Sequence, residues 1–406
     1  MKNALIRTLN GTLISACLIT AMASCSSKEI EEVEETKEIT GSVPSENERT
    51  VPLALKEGSC AKITRSSAII DSASISYIGV VGYGYAFIPD KNDRGVFYKS
   101  NNKWTLHPDL LSETGMTKNV YLSKNRTDLF AYSPAVDSES KPDFTNINYE
   151  NKSITYKQPN IVRFDSAFYN GTDYLFGCEY FRYKQDKTRT IATAYSALGQ
   201  DTASFMMLHS QAAIVLRFTR GSSYRDDKLL KGEIQNITLS NGYNKTFICT
   251  EGEMQFDPTL DDNTRIKGKT FESTLQWQKE DGSPILTLDN QVGNIVTCMA
   301  FVAPTEIKKA ECDEELFTSS SRTKKFVKGN VYDNLLKIKL LCDNTEMTVY
   351  TNEIPRWEAG KRYFYNIRVI ANALWIDNVY VDEWLNGDVS GMTGSGEGIG
   401  DEFELD

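Results

Sequence analysis

Cys25 has the most sharply defined chemistry in this chain. It follows an apolar run from Leu13 to Ala23, small Ala23 and Ser24, and an N-terminus made positive by Lys2 and Arg7. That order is the pattern of an export signal cut just before a cysteine. Its sulfur can form a thioether with a diacylglycerol, and the amine freed by the cut can take an acyl chain such as palmitate. Met22 stands where such signals usually carry leucine. The bland alternative is an ordinary secretory leader with an incidental cysteine. The reading adopted is a leader over 1–24 and a lipid anchor at Cys25. The mature chain is then exported and tethered without spanning a membrane, since no other stretch approaches the ~18 apolar residues of a membrane helix.

The remaining reactive residue types are sparse. Only two histidines occur, His107 and His209. His107 precedes Pro108 in a loop-like stretch, and His209 lies in an apolar strand region, where a satisfied core histidine is the simpler reading than a ligand. Gly391-Met-Thr-Gly-Ser395-Gly sets a serine among glycines without the strand-to-helix turn of a nucleophile elbow. Val81-Gly82-Tyr83-Gly84 lacks the third glycine and the helix of a phosphate loop. Asp90 to Gly95 and Asp257 to Asn263 offer oxygen atoms, but their spacing is that of turns and not of a calcium loop. Acidic residues number 55, so pairs of carboxylates always exist and none is singled out. Six cysteines, Cys60, Cys178, Cys249, Cys298, Cys312 and Cys342, remain after the leader and Cys25 are set aside; their wide spacing signals neither zinc nor a disulfide framework. The sequence therefore predicts no enzyme, no metal and no cofactor. A net charge of −10 argues against nucleic acid as a partner, and no basic run suggests one.

These residues need elements to position them, and the dominant period along the chain is two. Leu336, Ile338 and Leu340 alternate with Lys337 and Lys339. Tyr363, Tyr365, Ile367 and Val369 share one face, with Phe364, Asn366, Arg368 and Ile370 on the other. Val379 and Val381 lead toward Trp384, while Met206, Leu208 and Ile214 to Phe218 mark further strands. Asn241-Gly242, Asp281-Gly282 and Asn386-Gly387 punctuate such runs as turns. Short strands without alternating helices predict an all-β chain of antiparallel sandwiches. The expected division is a lipidated acidic tether with an N-terminal strand over 25–65, two β domains over 66–200 and 201–385 with a seam near Ser196 to Ser204, and a tail over 386–406. Eight glutamates between 29 and 48 keep the tether solvated.

Both ends carry strand-like patterns. Val51, Leu53 and Leu55 alternate with Pro52 and Ala54, and Ile63 falls on the same parity. Pro52 removes a ladder donor and favours an edge or terminal position. In the tail, Val389, Ile399, Phe403 and Leu405 share one parity, which makes them a candidate donor strand. Six glycines from Gly387 to Gly400 argue instead for a flexible leash.

Several motifs, taken in order, resemble the fimbrillin family, the pilin lipoproteins of Bacteroidetes-type bacteria. They are the lipid cysteine with its acidic spacer, a strand ending at Thr64-Arg65, and Asp128-Leu-Phe-Ala-Tyr132-Ser-Pro134. Asp173-Tyr174-Leu175-Phe176-Gly177, Leu208-His209-Ser210-Gln211-Ala212, and Trp357 through Ile367 with Ile376 to Trp384 complete the set. The resemblance implies two transthyretin-like sandwiches and a role in a surface fibre, as stalk or as tip. It implies an outer-membrane anchor, display at the cell surface, and an Arg-specific surface protease that cuts between Arg65 and Ser66; Arg49 is the rival site. It further implies that Val51, Leu53, Leu55 and Ile63 fill a groove, which a strand from another fimbrial subunit refills after the cut. A host glycan or protein receptor would be a further partner. The alternative is an anchored glycan-binding lipoprotein, with exposed Trp104 and loop Tyr and Asp residues stacking on sugar.

Overall fold

In the computed structural model, the described residues are 51–55, 75–84, 93–101, 103–111, 118–122, 127–148, 150–163, 171–179, 185, 192–194, 202–221, 230–241, 248–255, 266–268, 274–288, 294–314, 326–370 and 373–384. The chain is all-β, and the strands follow the alternation of apolar and polar residues seen in the sequence. One large sheet runs in the order Phe205–His209, Leu175–Glu179, Thr127–Ser133, Tyr77–Gly84, Arg94–Ser100, Lys103–Leu106, with Ala192–Ala194 added to Thr127–Ser133. Both of its faces are apolar. Val81, Phe130, Tyr132, Phe176 and Leu208 pack on a four-stranded sheet through Ile154, Tyr156, Met254 and Ile266. Ile78, Val80, Phe97, Trp104, Leu129, Ala131, Phe205 and Met207 form the opposite face.

The second core lies between two other sheets. A four-stranded sheet orders Val296–Val302, Ala212–Arg220, Lys361–Ile370 and Ala373–Glu383. Its Ile214, Leu216, Phe218, Tyr363, Tyr365 and Ile367 belong to one buried cluster with Ile237, Leu239, Trp277, Ile338 and Leu340 of a six-stranded sheet. Burial leaves indole N–H groups in need of acceptors: Trp277 donates to the Met299 carbonyl at 3.0 Å and Trp357 to the Tyr365 hydroxyl at 3.0 Å.

The pairing departs from a purely antiparallel scheme. Ala212–Arg220 runs parallel to Lys361–Ile370, Ile161–Arg163 parallel to Leu275–Gln278, and Thr202–Ala203 parallel to Ala54–Leu55. Strands from either side of Ser196 to Ser204 share sheets: Ile161–Arg163 pairs with Leu275–Gln278, and Ser153–Lys157 pairs with Glu251–Gln255. The described residues fall within one compact unit, Val43–Asp406. One hairpin shows how local chemistry sets register. Asp343 and Asn344, at φ 47° and 61°, make the two-residue loop between Leu336–Cys342 and Thr345–Thr351, a geometry that Asn and Asp tolerate. The Asp343 carboxylate also accepts from the Gly232 and Glu233 amides at 2.8 and 3.0 Å.

Candidate functional site

The face of the large sheet opposite the Tyr156 layer is covered by short pieces of chain. Val51–Pro52 pairs antiparallel with Tyr121–Leu122, and Ala54–Leu55 pairs parallel with Thr202–Ala203. The segment thus passes from one partner to another, with Leu53 at the crossing. Leu53 is 2% exposed and Leu55 7%, while Pro52 and Ala54 between them face solvent. Both leucines pack in one cluster with Ile78, Val80, Phe97, Trp104, Val120 and Leu122. Burying two leucines is worth about 3–6 kcal/mol gross. Four residue pairs of ladder add little to that, so the segment is held chiefly by its two leucines.

Leu53 is also the polar anchor of the segment. Its amide donates to the Val120 carbonyl at 2.8 Å, and its carbonyl accepts from Asn119 Nδ2 at 3.3 Å. Asn119 is itself buried, and its Oδ1 accepts from the Val120 amide at 2.7 Å. Asn119 carried no signal in the sequence, because a single asparagine near a turn is the commonest of patterns.

Trp104 corrects an expectation. It was read as an exposed sugar platform, but at 9% exposure it belongs to the cluster beneath Leu53 and Leu55. It alternates with exposed Lys103 and Thr105 along Lys103–Leu106, so the pleat turns it inward.

Two motifs spaced far apart in sequence meet at the start of the second core. Leu175 pairs with both Ser133 and His209. His209, the last residue of its strand, is buried; its Nδ1 lies 2.9 Å from Asp173 Oδ1 and its ring stacks on Trp384 at 3.7 Å with 8° between planes. It is a core histidine, as its apolar strand suggested. The buried pair Ser210 and Gln211 then links directly to Ala212–Arg220, with Gln211 Oε1 accepting from the Tyr174 amide. Tyr156 donates to the Ser210 carbonyl at 3.3 Å, and burial drives its phenol well above the usual range. His107 caps the short 3₁₀ turn Pro108–Leu110, and its Nε2 lies 3.0 Å from the Ser140 carbonyl.

Lys337 alternates with Leu336, Ile338 and Leu340, yet it is buried as they are. It is 5% exposed, and its Nζ donates to Asp313 at 2.7 Å and Glu314 at 3.1 Å, while the Tyr350 hydroxyl donates to the other Asp313 oxygen. Burial pushes the Asp313 carboxyl up, but the hydrogen bonds from Lys337 and Tyr350 outweigh it and hold it below the usual range. Cys178, Cys249, Cys298, Cys312 and Cys342 are buried free thiols. Among the described residues no group of His, Cys, Asp and Glu could hold a metal ion, and Gly82 and Gly84 lie in the Tyr77–Gly84 strand.

Cys25, Ile63, Arg65 and Ser66, together with Val389, Ile399, Phe403 and Leu405, lie outside the described residues, as do Cys60, Asp257 to Asn263 and Gly391 to Gly396. For Val51 the structure gives only its place opposite Leu122.

No family model matches the sequence, and no curated protein matches it. Solved structures do resemble it in outline. They are adhesion and fimbrial proteins of Bacteroidetes. A Bacteroides uniformis protein provisionally assigned to cell adhesion is 12% identical, with 84% of this chain and 100% of that one covered at a TM-score of 0.45. A fimbrial protein of Bacteroides vulgatus is 12% identical over 83% of this chain and 99% of its own, at 0.35. The C-terminally truncated tip fimbrial protein Mfa3 of Porphyromonas gingivalis is 8% identical over 82% and 98%, at 0.35. At these TM-scores the likeness is of outline only, and the functional reading stands on the chain's own residues.

Proposed function

We propose that this chain is a structural or adhesive subunit of a cell-surface fimbrium, without enzymatic activity. It is exported as a lipoprotein acylated at Cys25 and anchored in the outer membrane until an Arg-specific surface protease cuts between Arg65 and Ser66. In this reading residues 66–200 and 201–385 form two transthyretin-like sandwiches that interleave strands across their junction. The observation that carries the proposal is the Val51–Leu55 segment, which lies N-terminal to Arg65 yet completes the cover of an apolar face.

Before a cut, residues 56–74 connect that segment to the rest of the chain and keep its local concentration high. After a cut at Arg65 only its contacts hold it. A gross 3–6 kcal/mol is the scale of roughly millimolar binding, so the segment leaves at ordinary protein concentrations. The vacated face then presents unpaired backbone and apolar side chains, which a strand of a neighbouring fimbrial subunit refills. A tip or accessory subunit need only receive that strand. A stalk subunit must also donate one, for which the tail residues Val389, Ile399, Phe403 and Leu405 are the source. Burial of Trp104 removes the main support for the alternative, a glycan-binding lipoprotein.

The test is digestion of the soluble chain (Ser26 onward) with an Arg-specific protease, followed by intact mass and native mass. A single cut at Arg65 with loss of the N-terminal fragment is expected. A fragment that stays bound after the cut would contradict the proposal.

A further inference from the structure

Asn119 stands where one bond of a regular ladder is missing. The pairs Val51 with Leu122 and Pro52 with Tyr121, continued by one residue, bring Leu53 opposite Val120. A regular antiparallel pair there would exchange two bonds, Leu53 N–H to Val120 O and Val120 N–H to Leu53 O. The first is made, at 2.8 Å. The second is relayed through a side chain: the Val120 amide donates to Asn119 Oδ1 at 2.7 Å, and Asn119 Nδ2 donates to the Leu53 carbonyl at 3.3 Å. The asparagine amide is thus wedged into the ladder. Beyond the wedge the chain leaves Tyr121–Leu122 and joins Thr202–Ala203. Gly95 leaves room for the amide, since a Cβ there would come within 2.9 Å of Asn119 Oδ1.

We propose that Asn119 is a main-chain clamp for any strand occupying this seat, donating to the carbonyl of the residue whose side chain takes the Leu53 position. The inference rests on the strand-exchange reading above. Every residue carries such a carbonyl, so the register is left to the seat's two apolar positions: a slip of one residue turns every side chain to the other face. The occupant the seat selects is an extended segment of a neighbouring subunit with apolar residues at a first and third position. The first lies opposite Val120 and the third reaches the Leu55 position beside Ala203. A buried amide left without its acceptor costs about tenfold in binding or more, which is the strength of the clamp.

The test uses the full soluble chain cut at Arg65 and two synthetic peptides. One has the sequence of residues 48–57; the other exchanges Leu53 and Ala54. Affinities are measured for the native protein and for Asn119→Asp, which keeps the acceptor for the Val120 amide and loses the donor to Leu53. The variant is expected to bind the first peptide about tenfold or more weakly than the native protein does, while the preference for the first peptide over the second, set by burial of Leu53, is alike in both proteins. Asn119→Ser, which has neither the reach nor the second donor, serves where Asn119→Asp does not fold. Equal affinity of the native and variant proteins for the first peptide would overturn the role of Asn119 while leaving strand replacement intact. Binding of neither peptide to cut native protein would overturn strand replacement itself.

Discussion

Leu53→Ala is the perturbation that most sharply tests the energetics of the seat. Leu53 is 2% exposed and lies in the cluster that covers Trp104 and Phe97. Truncation of a buried leucine costs about 2–5 kcal/mol, through lost transfer energy and the cavity left behind. Here the loss falls on a segment tied by only four ladder pairs and the Leu53 bonds. The cost should therefore appear first as local opening of residues 51–55, before the fold as a whole gives way. Native-state hydrogen exchange is the assay. The Leu53 amide, bonded to Val120, should exchange about 30- to 5,000-fold faster, the conversion of that range at 1.36 kcal/mol per tenfold. Ala54→Ser, on the solvent-facing side, should change exchange and urea stability by no more than about 0.5 kcal/mol. If Leu53→Ala and Ala54→Ser behave alike, the segment does not complete the apolar face and the mechanism built on it fails.

Other perturbations probe the frame around the seat. Gly79→Ala brings a Cβ to 2.2 Å of Tyr132 Cζ, and the ring cannot move without disturbing its cluster, so a loss of about 3 kcal/mol or more in urea unfolding is expected. Trp384→Ala removes the ring stacked on His209 and packed against Phe301; calorimetry should show a loss of about 3–5 kcal/mol. Asp313 has a folded value held below its ordinary 3.8. Its contribution is thus complete above that value and is lost as pH falls through the lower folded one. Asp313→Asn should lower stability at neutral pH and flatten its acid dependence below ~3.8, as followed by circular dichroism.

The strand content was legible in the sequence because alternation is local: Leu336, Ile338 and Leu340 are buried as the pattern implied. What alternation could not show was whether the second face also meets a layer. Lys337 sits on the face opposite Leu336 and Ile338, yet it is buried, with its ammonium on Asp313 and Glu314. Trp104 is the converse case, an aromatic in a loop-like stretch that proves to be part of a core. Parallel pairing of Ala212–Arg220 with Lys361–Ile370 joins residues about 150 positions apart, beyond the reach of any period. At the seat, the parity of Leu53 and Leu55 was visible, whereas the Asn119 wedge depends on a contact across 66 positions. The Asp343-Asn344 turn is less legible, since both residues take a positive φ without the glycine that marks the commonest two-residue hairpins.

Whether residues 51–55 are a removable cover is read from the mass of the soluble chain before and after an Arg-specific protease. A single cut at Arg65 is expected, with loss of the fragment that contains Leu53 and Leu55, and then either ladders of higher mass or uptake of a strand supplied in trans. A chain that resists cutting at Arg65, or that keeps the cut fragment and remains a monomer deaf to added strands, would contradict that expectation.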